Sequence, residues 1–221
     1  MEITRNRFDG VVVEVWLSAL VATRGSSHDA MMMLAETLAS WGKALHDHDM
    51  QIIVPIPPPV FPNGQYATTY FAQDYWDVLA EGVDFIQIMT HDYKPDEGAH
   101  HYPNAPLKWV ERNVIVVTGD AARFASKVLV GLNHYGIKTD FGAGKQDAIM
   151  GDEYIKLLGQ KGSTLEWDND AEEHYVKNDR IEAYFPTLTS LEARTILALE
   201  YGTGISIWDL GQGLDYFARV L

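Results

Sequence analysis

The chain has 221 residues, enough for one domain with a real core, and its 47% apolar and 22% charged residues are those of an ordinary globular protein. A formal net charge of −14 repels phosphate backbones and argues against nucleic acid as a partner. The absence of cysteine excludes disulfides, thiol catalysis and zinc–thiolate sites, and no apolar run approaches the roughly 18 to 20 residues of a membrane span.

Met1 to Arg7 carry two arginines and no apolar stretch resembling a signal peptide. The stretch Phe8-Asp9-Gly10-Val11-Val12-Val13-Glu14-Val15-Trp16 then runs a turn signal into β-branched residues, which predicts a buried strand over 11–16. Residues two apart share a strand face, so Glu14 and Trp16 are expected to point the same way. Leu17 to Ser27 read as a loop. Met31, Leu34, Leu38, Trp41 and Leu45 recur at three and four and predict a helix from His28 to His46. Gln51 to Ile56 is a short buried strand, stopped by Pro57-Pro58-Pro59 because proline donates no ladder bond.

A second helix is expected from Tyr70 to Leu79, and a third strand at Phe85–Thr90 that finishes at His91-Asp92-Tyr93. A polar loop leads to a helix over Leu107–Val117 and a fourth strand over Lys127–Gly136. From about 137 to 186 the pattern changes to a Gly-rich loop, a short helix at Tyr154–Leu158, and two strands near Thr164–Trp167 and Ile181–Phe185, separated by the acidic run Asp168–Glu173. This stretch reads as a small α+β insertion within a single domain spanning 1–221. Thr189 or Ser190 is expected to cap a helix through Tyr201, ended by Gly202. Gly204–Asp209 is a fifth buried strand, and Leu214 to Leu221 a terminal helix.

Short buried strands alternating with helices predict a parallel α/β sheet with right-handed crossovers. The polar and aromatic side chains cluster at the C-terminal strand ends, which is where a (β/α)8 barrel holds its active site. Five strands are too few to close such a barrel, so the chain reads as its last five strand–helix units, with two bare sheet edges.

The stretch Phe8–Trp16, Met89-Thr90-His91-Asp92-Tyr93, Lys127–Gly136, and Gly204–Gly213 with its Trp-Asp-Leu-Gly-Gln-Gly run resemble, in that order, the fourth, sixth, seventh and eighth strands of a family 18 glycoside hydrolase (chitinase-like) barrel. The resemblance implies a (β/α)8 fold and an oligosaccharide groove at the strand ends. Active members carry Asp-x-x-Asp-x-Asp-x-Glu on the fourth strand. The terminal Glu protonates the glycosidic oxygen, and the substrate's own acetamide is the nucleophile. Here Asp9 matches the first position, but Val12, Glu14 and Trp16 stand at the other three. An indole N–H is no general acid, and losing that proton donor costs about 10² to 10⁴-fold in rate. Glu14 sits roughly 6 to 7 Å deeper along the strand, too far to reach the same oxygen.

No residue is therefore assigned as catalytic, and Glu14 and Asp92 are the weak candidates. By resemblance, the substrate-binding set is Glu14, Trp16, Met89, His91, Asp92, Tyr93, Asn133, Tyr135 and Trp208, with Trp208 as the sugar platform and a Glu14–Asp92 pair inside the barrel. The preferred expectation is a carbohydrate-binding, catalytically silent protein. An active glycosidase using Glu14 or Asp92 remains open, as does an interaction module or incomplete fragment with a vestigial groove. The resemblance also implies a lysosomal or secreted location and a protein receptor as second partner.

No metal or cofactor is expected. His46-Asp47-His48, His91-Asp92 and His100-His101 lack convincing ligand spacing, the acidic run Asp168–Glu173 reads as a solvated loop, and Gly142-Ala143-Gly144-Lys145 lacks the spacing of a phosphate loop.

Overall fold

The computed structural model describes residues 8–22, 28–67, 71–96, 98–119 and 122–220. The elements in chain order are β1 (Gly10–Val12), α1 (Trp16–Ala22), α2 (His28–His46), β2 (Gln51–Ile56), α3 (Gln73–Gly82), β3 (Phe85–Ile88), α4 (Leu107–Thr118), β4 (Val128–Asn133), β5 (Gly136–Asp140) and β6 (Lys145–Ile149). They continue with α5 (Gly151–Leu158), β7 (Thr164–Asp168), β8 (Glu173–Lys177), β9 (Ile181–Tyr184), α6 (Leu188–Glu200) and β10 (Gly204–Trp208), and 3₁₀ turns lie at Ala125–Lys127 and Asp215–Val220. The expectations for Met1–Arg7, for the loop end at 23–27 and for Tyr70 as a helix start fall outside the described residues.

The first sheet has the order β1-β2-β3-β4-β10 with every pair parallel, a curled half-barrel. Its outward residues Ile52, Val54, Ile56, Ile86, Ile88 and Val128 are fully or almost fully buried in one core with Leu38 of α2 and Leu79 of α3. Burial on that scale contributes about 1.5–3 kcal/mol for each large aliphatic side chain. The helix pair packs very tightly, since a Cβ on Gly42 would lie 2.0 Å from the Gly82 carbonyl oxygen. By the two-residue period, Pro55, Gln87, Gly131 and Ser206 turn to the inner face.

The first strand is shorter than expected. After one further ladder bond, Val13 N–H to Ile53 O at 2.8 Å, the chain bends, and Ala19 N–H donates to Val15 O at 2.9 Å to open α1. Trp16 and Leu20 lie four apart on one helix face, and both are buried in the core. Trp16 is 2% exposed, with its ring 6.0 Å from that of Tyr75. The expected position of Trp16 at a strand end beside Glu14 is thus overturned, because burying an indole between α1 and α3 outweighs extending a strand.

The stretch from 136 to 184 forms a second, antiparallel sheet in the order β6-β5-β9-β8-β7. The Gly-rich loop proves to be the turn of the β5–β6 hairpin, and the acidic run the turn between β7 and β8. That run is not simply solvated. Asp168 accepts the N–H groups of Asp170 and Ala171 at 2.9 and 3.0 Å, and Glu173 is buried. Thr187, rather than Thr189 or Ser190, caps α6 in a reciprocal box with Ser190. From α6, the buried Arg194 donates to the carbonyls of Ala105, Ala171, Glu172 and Ser190, fastening the second sheet to the start of α4.

Candidate functional site

A groove of about 510 Å³ lies where the C-terminal ends of the parallel strands meet the second sheet. Asp92, Tyr135 and Trp208 form its barrel wall, and Gln146, Asp147 and Met150 face them from β6 and the residue before α5. Tyr93, Lys94 and Gln212 close the rim.

The barrel wall is built from three neighbouring strands. Beyond β3 the chain turns sharply, and Asp92 adopts φ 59°, the left-handed region that costs a non-glycine residue of order 1–3 kcal/mol. Its backbone N–H is held by the side-chain oxygen of Asn104 at 2.8 Å. Its carboxylate accepts the Tyr135 hydroxyl at 2.5 Å, and the same phenol oxygen lies 3.2 Å from His91 Nδ1. A phenol donates once, so the proton placement that satisfies both contacts has His91 Nδ1–H donating to Tyr135 and Tyr135 donating to Asp92. Gly131 lets β4 lie close against the end of β3, since a Cβ there would meet the Ile88 carbonyl oxygen at 2.5 Å. Trp208, at the end of β10, is 40% exposed and lies nearly parallel to the His91 ring, with centroids 6.5 Å apart.

These contacts fix protonation. The His91 imidazole, 3.6 Å from the second carboxylate oxygen, and then the Tyr135 hydroxyl hold the Asp92 carboxyl below its ordinary 3.8, against the opposing effect of burial. At 3.6 Å His91 acts on that oxygen as a polar neighbour, and its hydrogen bond goes to Tyr135. Burial first, and the Asp92 carboxylate second, push the Tyr135 phenol up. Asp92 is therefore ionised at neutral pH and has no proton to give, while its side chain remains 55% exposed to receive a hydroxyl or amide donor.

Of the nine residues expected to bind, the structure brings Asp92, Tyr93, Tyr135 and Trp208 onto the groove, with His91 behind them. Asn133 is buried, and its amide is spent on the Tyr135 carbonyl at 2.8 Å, which makes it a support and not a lining residue. Met89 is half-buried where β3 ends and does not line the groove. Glu14 is exposed at the β1 edge beside Val15, Trp41 and His48, in a separate apolar cavity, so the expected Glu14–Asp92 pair is not formed. Trp16 belongs to the core. The wall from the second sheet was missed entirely, as was Asn104, whose only sequence signal was its place in a Pro-Asn-Ala-Pro run.

Among the described residues no group of three or more His, Cys, Asp or Glu side chains is placed to hold a metal ion. No described helix is long and apolar enough to cross a membrane.

A half-barrel of parallel strands with a groove at their C-terminal ends, walled by an antiparallel sheet, is part of a (β/α)8 barrel carrying an inserted sheet. The chain belongs to the glycosyl hydrolases family 18, which it matches over residues 2–213. Its fold is similar to that of a chitinase from Chromobacterium violaceum ATCC 12472, with a TM-score of 0.78 and 20% identity over 99% of this chain and 67% of that one. It is also similar to an Ostrinia furnacalis Group IV chitinase (TM-score 0.70, 16% identity, 96% and 64% covered). A third similar fold is the spore cortex-lytic enzyme SleL of Bacillus megaterium QM B1551 (TM-score 0.74, 19% identity, 99% and 49% covered). The chain thus spans between half and two thirds of the length of these structures, and at such identities the likeness establishes the fold.

Proposed function

We propose that the groove binds chitooligosaccharide-type sugars without hydrolysing them. The observation that carries this reading is the pairing of an exposed Trp208 ring with an ionised, half-exposed Asp92 on one wall, while the position of the family's acid is filled by the buried Trp16. An aromatic face suits the apolar face of a pyranose, and a fixed carboxylate accepts from its hydroxyl or amide groups. Asp92, Tyr93, Tyr135 and Trp208 are the proposed contacts, with His91 supporting them from behind. Hydrolysis with Asp92 as acid is disfavoured because that carboxyl is held ionised. Glu14 is too far from this wall to serve, since it lines a different cavity.

Within the family, Pro103–Leu107 and Gln212–Phe217 resemble chitinase domain-containing protein 1. Membership of that branch, a lysosomal or secreted location and a protein receptor as second partner are carried by this resemblance. Residues 137–186 are proposed as the insertion that completes the sugar groove within one domain. Calorimetric titration of chitotetraose, run beside a fluorogenic chitooligosaccharide assay, tests the central reading. Saturable binding with no turnover is expected, whereas turnover abolished by Asp92→Asn would overturn it.

A further inference from the structure

Asn104 is fully buried, and each of its polar groups is engaged with a different part of the molecule. Its side-chain oxygen accepts the Asp92 N–H at 2.8 Å, and its side-chain NH2 donates to the Tyr135 carbonyl at 3.2 Å. Its carbonyl accepts the Tyr93 N–H at 2.9 Å. Its own N–H donates to the Glu173 carboxylate at 3.1 Å, and the next residue, Ala105, donates to the same oxygen at 3.0 Å. One side chain therefore ties the two groove residues that share a hydrogen bond, Asp92 and Tyr135, while its backbone is gripped by β8 of the second sheet. The Asp92 N–H it accepts belongs to the residue held at φ 59°, so the bond selects the backbone conformation that turns the carboxylate toward the Tyr135 hydroxyl.

Only an asparagine supplies an acceptor and a donor in one plane on so short a stem. Aspartate keeps the acceptor for Asp92 and loses the donor for Tyr135, and alanine loses both. Glu173 is buried, and its reach to the groove runs through Asn104.

From this geometry we infer that Asn104 is a positioning residue for the sugar groove, setting the Asp92–Tyr135 pair, and that Glu173 sets Asn104, so that the second sheet governs groove affinity from behind as well as walling it. The inference rests on the oligosaccharide-binding reading for its affinity arm alone, because the state of Asp92 can be followed without ligand. The experiment measures the Asp92 carboxyl titration by ¹³C NMR and chitotetraose affinity by calorimetry, in the wild type, Asn104→Ala, Asp92→Ala and the double variant. Asn104→Ala should raise the Asp92 midpoint toward its ordinary value and lower affinity about tenfold. In the Asp92→Ala background, removing Asn104 should cost clearly less than a second tenfold, because the part of its effect that passes through Asp92 is already lost and only its hold on Tyr135 remains.

An unmoved Asp92 midpoint, or a full second tenfold loss in the double variant, overturns the inference. Should Asn104→Ala fail to fold, Asn104→Ser, which brings no charge and whose shorter side chain cannot span both partners, carries the same test, with a rise of the Asp92 midpoint expected and no rise overturning it. A wild type that binds no oligosaccharide overturns the groove reading, while the ligand-free titration still decides the role of Asn104.

Discussion

Two strand ends of the same parallel sheet have gone opposite ways. At the end of β1 the chain carries Val12, Glu14 and Trp16 where the family motif, by resemblance, has carboxylates, and the strand breaks after Val12 so that Trp16 drops into the core beside Tyr75. At the ends of β3, β4 and β10 the polar and aromatic residues stay on the groove. A strained Asp92, a hydroxyl from Tyr135 and a half-exposed Trp208 are all held in place by second contacts. Proton donation and sugar contact are separable parts of such a site. On the proposed function the first belongs to the end of β1 and the second to the other three strand ends, so that losing the first leaves the second intact.

The sharpest way to break this comparison is Trp16→Glu, which restores the family's acid by name. Since position 16 faces the core, the substitution should cost about 4 kcal/mol in urea unfolding, from the lost indole and an unpaired buried carboxyl, with no hydrolysis of a chitooligosaccharide reporter. A folded, hydrolytic variant would show that the two ends are not separated as described. Trp208→Ala, at the other end, should leave the unfolding midpoint nearly unchanged because the ring is 40% exposed, yet weaken chitotetraose binding by about 2 kcal/mol, roughly thirtyfold. Tyr135→Phe removes the donor to Asp92 and should weaken binding about tenfold while raising the Asp92 titration midpoint, both readable in one NMR series.

The pH dependence follows from the same carboxyl. Its folded value lies below 3.8, so between that value and 3.8 the unfolded chain holds a proton that the folded one has released. The Asp92 contribution to stability and binding is therefore complete above 3.8 and is lost as pH falls through the folded value, and affinity should be flat from pH 5 to 7 on this account. The smallest effect belongs to Glu14→Gln, expected to change binding less than twofold. A large loss would bring Glu14 back to the groove.

The helices were readable from the sequence because their apolar residues recur at three and four, as Met31, Leu34, Leu38, Trp41 and Leu45 do along α2. The buried parallel strands were readable because they run as unbroken apolar segments such as Ile52–Ile56. The second sheet was half hidden. The strand at Lys145–Ile149 opens on three consecutive polar residues, Lys145, Gln146 and Asp147, and so shows no apolar alternation, and Glu173 looks like part of a charged surface run until its carboxylate is seen against two backbone N–H groups. Trp16 misled for a related reason. Continuous apolar spelling cannot tell a strand from the first turn of a buried helix, and the choice was made by the Trp16–Leu20 pair meeting the core. At the site, Asp92, Tyr135 and Trp208 came from motif resemblance, whereas Asn104 and the β6 wall come from segments joined only by tertiary contacts.

The hold of Arg194 on carbonyls from four residues carries a thermodynamic corollary. A guanidinium cannot give up its proton in folded or partly folded protein, so if the second sheet frayed while α6 and the half-barrel stayed folded, a buried cation would lose its acceptors at Ala171 and Glu172. That intermediate is penalised on both sides, and the two sheets should melt as one cooperative unit, with coincident transitions reported by Trp167 in β7 and Trp76 in α3.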